Sequence, residues 1–268
     1  MTHELTSREY WEATYSGIPL VRPIDPSGFR NRAAREIAGK VEPHVARSAR
    51  VLEIGGGGSR WLAYLSGKYP HIEFSALDYS RHGIDLLNAF LEKEGVGNLS
   101  VYEGDLFTSH GVAGTYDFVY SPGVVEHFEG LQEVLIAKSG YLNEEGHMFT
   151  LIPNMRGLNG WLTRLLNRRV YDIHVPHDLE AFRRFHRQAG LRILESGYLC
   201  ASNFGILSSY VEANRSWKWS FYKALTRLGK MLWYMEDKFG DLPRTALFSP
   251  YLYAVSVRSE GQEKGDGG

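Results

Sequence analysis

The stretch Val51–Trp61, with the sequence VLEIGGGGSRW, constrains the fold more than any other part of the chain. Its apolar residues Val51, Leu52 and Ile54 predict a short buried strand. Four consecutive glycines follow and lead into an amphipathic run. Because glycine has no Cβ atom, a strand that ends in glycines and opens a helix can bring backbone N–H groups against a ligand. This order predicts an α/β fold with a cofactor at the turn, rather than a flexible glycine loop.

The next predicted strand, His71–Asp78, supports a cofactor that contains a nucleoside. The strand ends on Asp78, about 20 residues after the glycines, where an acidic side chain can accept hydrogen bonds from the two ribose hydroxyls.

Two glycine patterns of cofactor-binding turns could describe this stretch. The dinucleotide pattern G-x-G-x-x-G uses its third glycine to pack helix against strand. Arg60 stands at that position, or Trp61 if the pattern is shifted by one residue, so a dinucleotide is disfavoured. The pattern acid-x-G-x-G-x-G fits better. Glu53, Gly55 and Gly57 match it, although Ser59 replaces its last glycine.

With these residues the chain resembles the class I S-adenosylmethionine-dependent methyltransferases. Glu53–Gly57 stands where that family keeps its first motif, and Asp78 stands at its ribose-binding acid. Gly104–Phe107 is similar to the adenine-binding step, and Tyr116–Ser121 is similar to the fourth strand, with Val125–Phe128 after it. The resemblance is greatest to small-molecule methyltransferases of the ubiquinone-biosynthesis type, and it covers roughly residues 50–152.

The resemblance implies S-adenosylmethionine as the cofactor. It implies that Asp78 binds the ribose and that Asp105 binds the adenine amino group. The full set of expected cofactor-binding residues is Glu53, Gly55, Gly57, Asp78, Tyr79, Asp105, Leu106 and Ser121.

Alternating strands and helices predict an α/β fold with a doubly wound, Rossmann-like sheet of seven mostly parallel strands. The predicted helices are Ser7–Tyr15, Arg30–Ala46, Ser59–Tyr69, Ser80–Glu94, Gly130–Gly140 and His177–Gly190. The predicted strands are Arg50–Ile54, Ile72–Asp78, Leu99–Glu103, Asp117–Ser121, His147–Pro153, Leu191–Cys200 and Phe248–Arg258.

We expect one methyltransferase domain over residues 1–258. It comprises N-terminal helices in 1–46, a cofactor-binding half in 50–153, cap insertions at 154–175 and 202–244, and a disordered tail at 259–268.

The second insertion is rich in aromatic residues. Its apolar stripe at helical spacing, which we expect to pack on the core, consists of Trp217, Phe221, Leu225, Leu228 and Leu232. The remaining aromatics suit a cap over a partly apolar acceptor, and a homodimer interface is the alternative use. The first predicted helix is either a lid over the cofactor or a helix docked by its aromatic residues.

The acceptor is expected to be a small apolar or aromatic molecule. Between Asn154 and Arg192 there are eight arginines and three acids, which serve either as solvated helix faces or as a site for an acidic group on the acceptor. The candidate substrate-binding residues are Tyr10, Tyr15, Trp161 and Tyr210.

His127 is the first candidate for a general base, because it follows the fourth predicted strand, near where the methyl group must emerge. An unperturbed histidine pKa near 6.5 suits proton removal at neutral pH. His174 and His177 are the further catalytic candidates. Glu126 is expected to point elsewhere if its segment is helical, since adjacent residues do not share a helix face.

Composition excludes several classes of protein. The net charge of −1 gives no field that would collect nucleic acid. The single cysteine, Cys200, allows no intrachain disulfide, which fits a cytoplasmic location. No apolar run is long enough to span a membrane, and the N-terminus does not read as a signal peptide. No motif with metal-ligand spacing occurs, so no metal is expected.

Three functions remain open at this point. The favoured one is a methyltransferase acting on a small molecule. A nicotinamide-dependent oxidoreductase is disfavoured by Arg60 and Trp61. A non-catalytic protein that binds S-adenosylmethionine is not excluded by any residue.

Overall fold

The computed structural model describes residues 2–28, 31–109, 115–210 and 216–259, except for the side chains of residues 208–210. The helices are α1 (Arg8–Ser16), α2 (Arg32–Val45), α3 (Arg60–Lys68), α4 (Arg81–Glu94), α5 (Leu131–Ser139), α6 (Leu158–Leu166), α7 (Arg168–Asp172), α8 (Leu179–Gln188) and α9 (Trp217–Phe239). The strands are β1 (Arg50–Ile54), β2 (Glu73–Asp78), β3 (Leu99–Glu103), β4 (Tyr116–Pro122), β5 (Leu142–Pro153), β6 (Leu191–Leu199) and β7 (Tyr251–Arg258). Two 3₁₀ helices cover Val125–His127 and Phe204–Tyr210.

The seven strands form one sheet in the order β3-β2-β1-β4-β5-β7-β6. The pairs from β3 to β5 are parallel, and β7 runs antiparallel to both β5 and β6. The predicted seven-stranded, mostly parallel, Rossmann-like sheet is therefore confirmed. The chain moves outward in one direction from β1 to β3 and then returns to the other side of β1 with β4. Ligands of such sheets bind at this reversal, beyond the carboxyl ends of the strands.

Both faces of the sheet are buried, which explains the nearly continuous apolar strands. Alternate side chains of a strand point to opposite faces. Phe74, Phe118 and Phe149 belong to one buried layer, whereas Leu52 and Val119 belong to the other. The carboxyl ends of β1, β2 and β4 are held in place by these two layers.

Several predicted boundaries differ from the structure. The predicted last strand began at Phe248, but β7 begins at Tyr251, and Phe248 is 54% exposed in the preceding turn. β5 begins at Leu142 rather than at His147. The predicted start of the second helix at Arg30 and nearly all of the predicted tail lie outside the described residues.

The expectation that the apolar stripe of the second insertion packs on the core is wrong for most of its length. Trp217, Phe221 and Leu228 are exposed on α9. The opposite face packs inward instead, where the Trp233 indole donates a hydrogen bond to the Ser202 carbonyl over 2.7 Å. The helix carries apolar residues on two faces, and a helical period alone does not tell which face is buried. Among the described residues, no helix has both the length and the apolar character needed to cross a membrane.

A buried cluster of charges ties α9 to α2. Arg32 is 6% exposed and contacts Glu236 at 3.2 Å and Asp237 at 2.7 Å. Glu36 lies one turn further along α2 and contacts the same guanidinium at 3.1 Å. Because Glu236 is itself buried, its carboxylate depends on Arg32 for charge compensation.

We predict that Arg32→Ala destabilises the fold by about 3–5 kcal/mol, because it leaves the Glu236 carboxylate buried without its partner. Urea unfolding followed by circular dichroism measures the change. Arg35→Ala is the matched control, since Arg35 contacts the same Asp237 but is half exposed. Its loss should cost less than about 1 kcal/mol. Equal, small effects of both variants would contradict the role of the buried cluster.

Candidate active site

The turn after β1 is possible only with glycine. Gly55 has φ +73°, a left-handed conformation that side chains disfavour, and a Cβ atom there would lie 2.4 Å from the Val124 side chain. The Gly55 N–H donates to the Leu77 carbonyl over 2.8 Å. The end of β1 therefore lies directly against the ends of β2 and β4.

The buried side chain of Glu53 stabilises this turn through hydrogen bonds. Its side chain is 3% exposed and accepts hydrogen bonds from the hydroxyls of Ser59 and Tyr120. Burial raises the pKa of Glu53 to about 7, and the two hydrogen bonds oppose that shift. The Ser59 hydroxyl also accepts from the N–H groups of Trp61 and Leu62, so it caps α3. The serine that departs from the glycine pattern thus links the acid to the helix.

Asp78 is held in place by the backbone. One carboxylate oxygen accepts from the Gly57 N–H and the other from the Ser80 N–H, both over 2.8 Å. Burial raises the pKa of Asp78, and these backbone bonds, together with a hydrogen bond from the Tyr15 hydroxyl, oppose the shift. The carboxylate lies at the rim of a cavity, where it can meet a ligand hydroxyl.

That cavity, the cofactor pocket, lies at the carboxyl ends of β1, β2 and β4. Of the eight predicted cofactor-binding residues it brings together five, which are Gly55, Asp78, Tyr79, Asp105 and Leu106. The remaining lining residues are Glu4, Trp11, Tyr15, Ile54, Leu77, Gly104, Phe107, Pro122, Gly123, Val124, His127 and Phe128.

The other three predicted residues, Glu53, Gly57 and Ser121, do not line the cofactor pocket. Ser121 is completely buried and accepts a hydrogen bond over 2.6 Å from Lys138. Lys138 also donates to Thr150 and to the Phe149 carbonyl, both over 2.9 Å. Burial lowers the pKa of this lysine. Ser121 therefore belongs to a polar network beneath the pocket floor.

A second cavity, the acceptor pocket, adjoins the first. The two share Trp11, Pro122, Gly123 and His127. The remaining lining residues of the acceptor pocket are Tyr10, Thr14, Ile37, Trp61, Glu126, Leu151, Ile152, Pro153, His174, Ile206 and Tyr251. A ligand in one cavity can thus meet a ligand in the other at His127.

The four candidate substrate-binding residues separate in space. Tyr10 lines the acceptor pocket, whereas Tyr15 lines the cofactor pocket. Trp161 lines neither cavity and is 61% exposed on α6. The side chain of Tyr210 lies outside the described part of the chain.

Two of the three catalytic candidates lie together. The ring centroids of His127 and His174 are 4.6 Å apart, and both residues are buried. The Nδ1 of His127 donates to the Ile173 carbonyl over 2.7 Å. Because a carbonyl can only accept, the neutral His127 ring carries its proton on Nδ1 and its lone pair on Nε2. Burial, and then His174, lowers the pKa of His127 to about 3, so the ring is neutral at pH 7.

His177 lies apart from this pair. It lines neither cavity, and its ring packs edge-on against Phe185 with the centroids 5.6 Å apart. Burial lowers its pKa. His177 is therefore not part of the group that His127 and His174 form at the cavities.

The expectation that Glu126 points away from the site is wrong. The segment is a single 3₁₀ turn, and Glu126 and His127 both line the acceptor pocket. Glu126 is 2% exposed, and its Oε2 has no hydrogen-bond partner in the described structure. Burial raises its pKa to about 8.

These side chains could also hold a metal ion. Glu126, His127 and His174 each offer one ligand atom, and these atoms lie within 4.8 Å of one another. Two neutral imidazoles and a carboxylate form a donor set that divalent metals accept. No sequence motif predicts this set of ligands, because His174 comes from an insertion that is distant in sequence from Glu126 and His127.

The N-terminal segment contributes residues that the sequence analysis missed. The Leu5 N–H donates to the His127 carbonyl over 2.7 Å, and Glu4 pairs with Phe128 as an antiparallel bridge. Trp11 packs edge-on against His127 with the ring centroids 5.3 Å apart. Nothing in the local sequence signals this long-range pairing.

Several of the arginines between Asn154 and Arg192 pair with surface acids. Arg156 contacts Asp178 at 2.8 Å, and Arg168 contacts Asp172 at 2.7 Å. Among the described residues that line the acceptor pocket there is no arginine or lysine. The described lining residues therefore offer no cation to an acidic group, and Arg169 lies close enough to Tyr10 to oppose the rise that burial causes in the pKa of that tyrosine.

One curated relative matches part of the chain. It is named probable (S)-tetrahydroprotoberberine N-methyltransferase 2, from Papaver bracteatum, and it is 29% identical over 99 residues. The match covers 37% of this chain and spans 27% of the length of that relative.

Solved structures of low sequence identity share the fold. Coclaurine N-methyltransferase bound to N-methylheliamine and S-adenosylhomocysteine superposes with a TM-score of 0.60 at 13% identity, covering 90% of this chain and 77% of that one. The plantazolicin methyltransferase in complex with S-adenosylhomocysteine gives a TM-score of 0.56 at 16% identity, covering 94% and 91%.

A match to a protein family over more than half of the chain identifies the family of this protein. Residues 28–196 match the family described as Methyltransferase domain. This range holds the glycine turn, Asp78, Asp105 and the Glu126-His127 pair, so the family assignment and the site geometry agree. The chain therefore belongs to the class I S-adenosylmethionine-dependent methyltransferases.

Proposed function

We propose that the protein transfers the methyl group of S-adenosylmethionine to the nitrogen of a small, apolar amine. One observation carries the proposal. The acceptor pocket meets the cofactor pocket at His127. Its polar groups include the buried Glu126 carboxyl and two histidines, and none of its described lining residues is an arginine or a lysine. The apolar wall, which includes Ile37, Ile152 and Ile206, suits a hydrophobic body on the acceptor.

The cofactor would lie along the ends of β1, β2 and the segment after β3. Asp78 would accept hydrogen bonds from the ribose, and Asp105 with Leu106 would contact the adenine. Tyr15 packs on the glycine turn, where a Cβ on Gly58 would lie 3.3 Å from its ring. These residues bind and orient the cofactor, whose sulfonium supplies an activated methyl group.

The protein's own part in the chemistry is positioning. The residues around His127 would hold an amine nitrogen in line with the methyl group, so that the N–CH₃ bond would form as the S–CH₃ bond breaks. A secondary or primary amine must also lose its N–H proton. The Nε2 lone pair of neutral His127 can accept a hydrogen bond from that N–H group, but a pKa of about 3 makes the ring a weak base at neutral pH, so its role is to orient the nitrogen. The Ile173 carbonyl fixes the ring orientation that makes this possible.

An amine explains Glu126 better than an acidic acceptor does. A buried carboxyl group without a hydrogen-bond partner is costly, and a bound N–H group would satisfy it. The expected acidic group on the acceptor finds no support among the lining residues. The N-methyltransferases among the similar proteins point in the same direction.

A specific observation favours one second candidate, metal-assisted transfer to a hydroxyl. The Glu126, His127 and His174 ligand atoms would hold a divalent cation, which would lower the pKa of a bound hydroxyl. In that case His127 would be a metal ligand rather than a group that orients the acceptor nitrogen.

Product analysis with radiolabelled S-adenosylmethionine tests the proposal. The acceptors are aromatic amines, with matched phenols and matched carboxylic acids of the same ring system. We expect methylation of amines that survives dialysis against EDTA. Methylation of phenols that EDTA abolishes would favour the metal-assisted reaction. If the protein binds the cofactor but methylates none of the three classes of acceptor, it is a non-catalytic binding protein.

For the cofactor, we predict that Asp78→Ala weakens the binding of S-adenosylhomocysteine by about 1.5–3 kcal/mol, the usual effect of losing hydrogen bonds to a charged group. Isothermal titration calorimetry measures the change. Asp85→Ala is the matched control, since Asp85 is an exposed acid on α4 that lines neither pocket. Equal affinity of Asp78→Ala and the parent would refute the ribose assignment.

For His127, we predict that His127→Ala lowers turnover about 10²-fold, because the acceptor nitrogen loses the group that orients it, while the affinity for S-adenosylhomocysteine stays within a few fold. His177→Ala serves as the control, because this buried histidine lies outside both pockets and should leave turnover nearly unchanged. A loss below about threefold in His127→Ala would move the role to His174, or leave proximity alone as the source of the rate.

The pH dependence distinguishes His127 from Glu126. The pKa of His127 lies at about 3, below its unperturbed value, so the neutral ring that orients the acceptor persists as the pH falls from 8 to 5. Glu126, with a pKa of about 8, is mostly protonated at pH 7 and would gain base strength only as the pH rises through 8. After correction for the acceptor's own ionisation, we expect kcat/KM to show no acid limb between pH 6 and 8. A limb near pH 8 would assign the base to Glu126.

A further inference from the structure

The outer face of α9 exposes a continuous apolar stripe. Its members are Trp217, Phe221, Leu228, Met231, Met235 and Phe239, with exposed fractions from 37% to 76%. At 100° per residue these positions fall within an arc of about 80° on the helix. At 1.5 Å per residue the stripe is about 33 Å long.

The helix is docked by its other face, so the exposure of the stripe does not come from a detached helix. Trp219, Tyr222 and Leu225 pack against a small apolar cluster that contains Leu162 and Phe204. A Cβ atom on Gly229 would lie 3.2 Å from the Phe204 ring, so the two elements are in close contact. The stripe therefore faces away from the protein while the helix stays fixed.

A basic arc borders the stripe. Lys223, Arg227, Lys230 and Lys238 fall within the adjacent arc of about 80°, and all four are exposed. Within the described residues, no ion pair closer than 4.0 Å neutralises them. The acids of α9, Glu236 and Asp237, are instead engaged by Arg32. The outer side of α9 is thus apolar and positively charged.

We propose that α9 docks the protein on the surface of a membrane that carries anionic lipids. A helix that lies in the plane of a bilayer surface combines an apolar face with a basic flank and with aromatic residues at the interface. Anionic headgroups supply negative charges, which no described residue of the protein provides to the basic arc within 4.0 Å. The helix lies on the bilayer and does not cross it.

A second copy of the chain is the weaker occupant. A twofold dimer would bring the same patch of both copies together. That patch carries four basic residues, and the two acids of α9 are already occupied by Arg32. Lipid phosphates complement the patch, whereas another copy repeats its charge.

Vesicle flotation tests the proposal with the full chain. The probes are vesicles of phosphatidylcholine alone and vesicles that contain phosphatidylcholine and phosphatidylglycerol. We expect binding to the second kind that weakens as salt rises, and little binding to the first. Absence of binding to the anionic vesicles at low salt would overturn the proposal.

Two variants separate the stripe from the basic arc. Leu228→Glu/Met231→Glu should lower the bound fraction at least about tenfold, because it places two carboxylates in the lipid-facing surface. Lys223→Gln/Arg227→Gln/Lys230→Gln should weaken binding to anionic vesicles by about tenfold or more and reduce its salt dependence. An unchanged bound fraction in the first variant would refute docking through α9.

The matched control is Ile136→Glu/Leu194→Glu, which places the same charges on exposed apolar residues of α5 and β6. It should bind vesicles like the parent. Sedimentation equilibrium provides a further outcome. A dimer that Leu228→Glu/Met231→Glu dissociates, without any vesicle binding by the parent, would assign the stripe to a second copy and overturn the proposal. These readouts do not depend on methyl transfer.

Discussion

The end of β1 turns so close to its neighbours that three positions have no room for a Cβ atom. At Gly55 that atom would lie 2.4 Å from Val124, at Gly56 it would lie 2.9 Å from the Cβ of Ala76, and at Gly57 it would lie 2.6 Å from the Asp78 carboxylate. The first contact fixes β1 against the loop after β4, and the second fixes it against β2. Since Val124 directly precedes the turn that carries His127, one steric constraint positions both the floor of the cofactor pocket and His127.

Glu53, Lys138 and Glu126 are buried ionisable residues around the two pockets, and their side chains are hydrogen-bonded to different extents. Glu53 accepts two hydroxyl hydrogen bonds, and Lys138 donates to three oxygens. Those bonds offset the cost of removing the groups from water, and the bonds of Lys138 hold β4 and β5 together at the site. Glu126 keeps an oxygen without a partner. The unsatisfied acid is the one that faces the acceptor pocket, where a ligand can supply the missing hydrogen bond.

Local signals were enough to predict the sheet, and five of the eight predicted cofactor-binding residues line one cavity. The glycine turn, the strand ending on Asp78 and the step at Asp105 each depend on residues close in sequence. The proximity of His174 to His127 depends instead on where a 22-residue insertion (154–175) folds back, which no local period encodes. The prediction of which face of α9 is buried was wrong for another reason. Trp217 and Trp233 lie on two apolar faces of one helix, and only the position of Phe204 in space decides which face is buried.

The first helix joins the two pockets into one site. The Tyr15 hydroxyl is hydrogen-bonded to Asp78 in the cofactor pocket, and its ring packs on Gly58 and Gly83. Trp11, one turn earlier, lines both cavities and packs against His127. The acceptor pocket is therefore complete only when α1 rests on the glycine turn. Tyr15 and Trp11 belong to one rigid helix. A shift of α1 over the cofactor pocket therefore also changes the shape of the acceptor pocket.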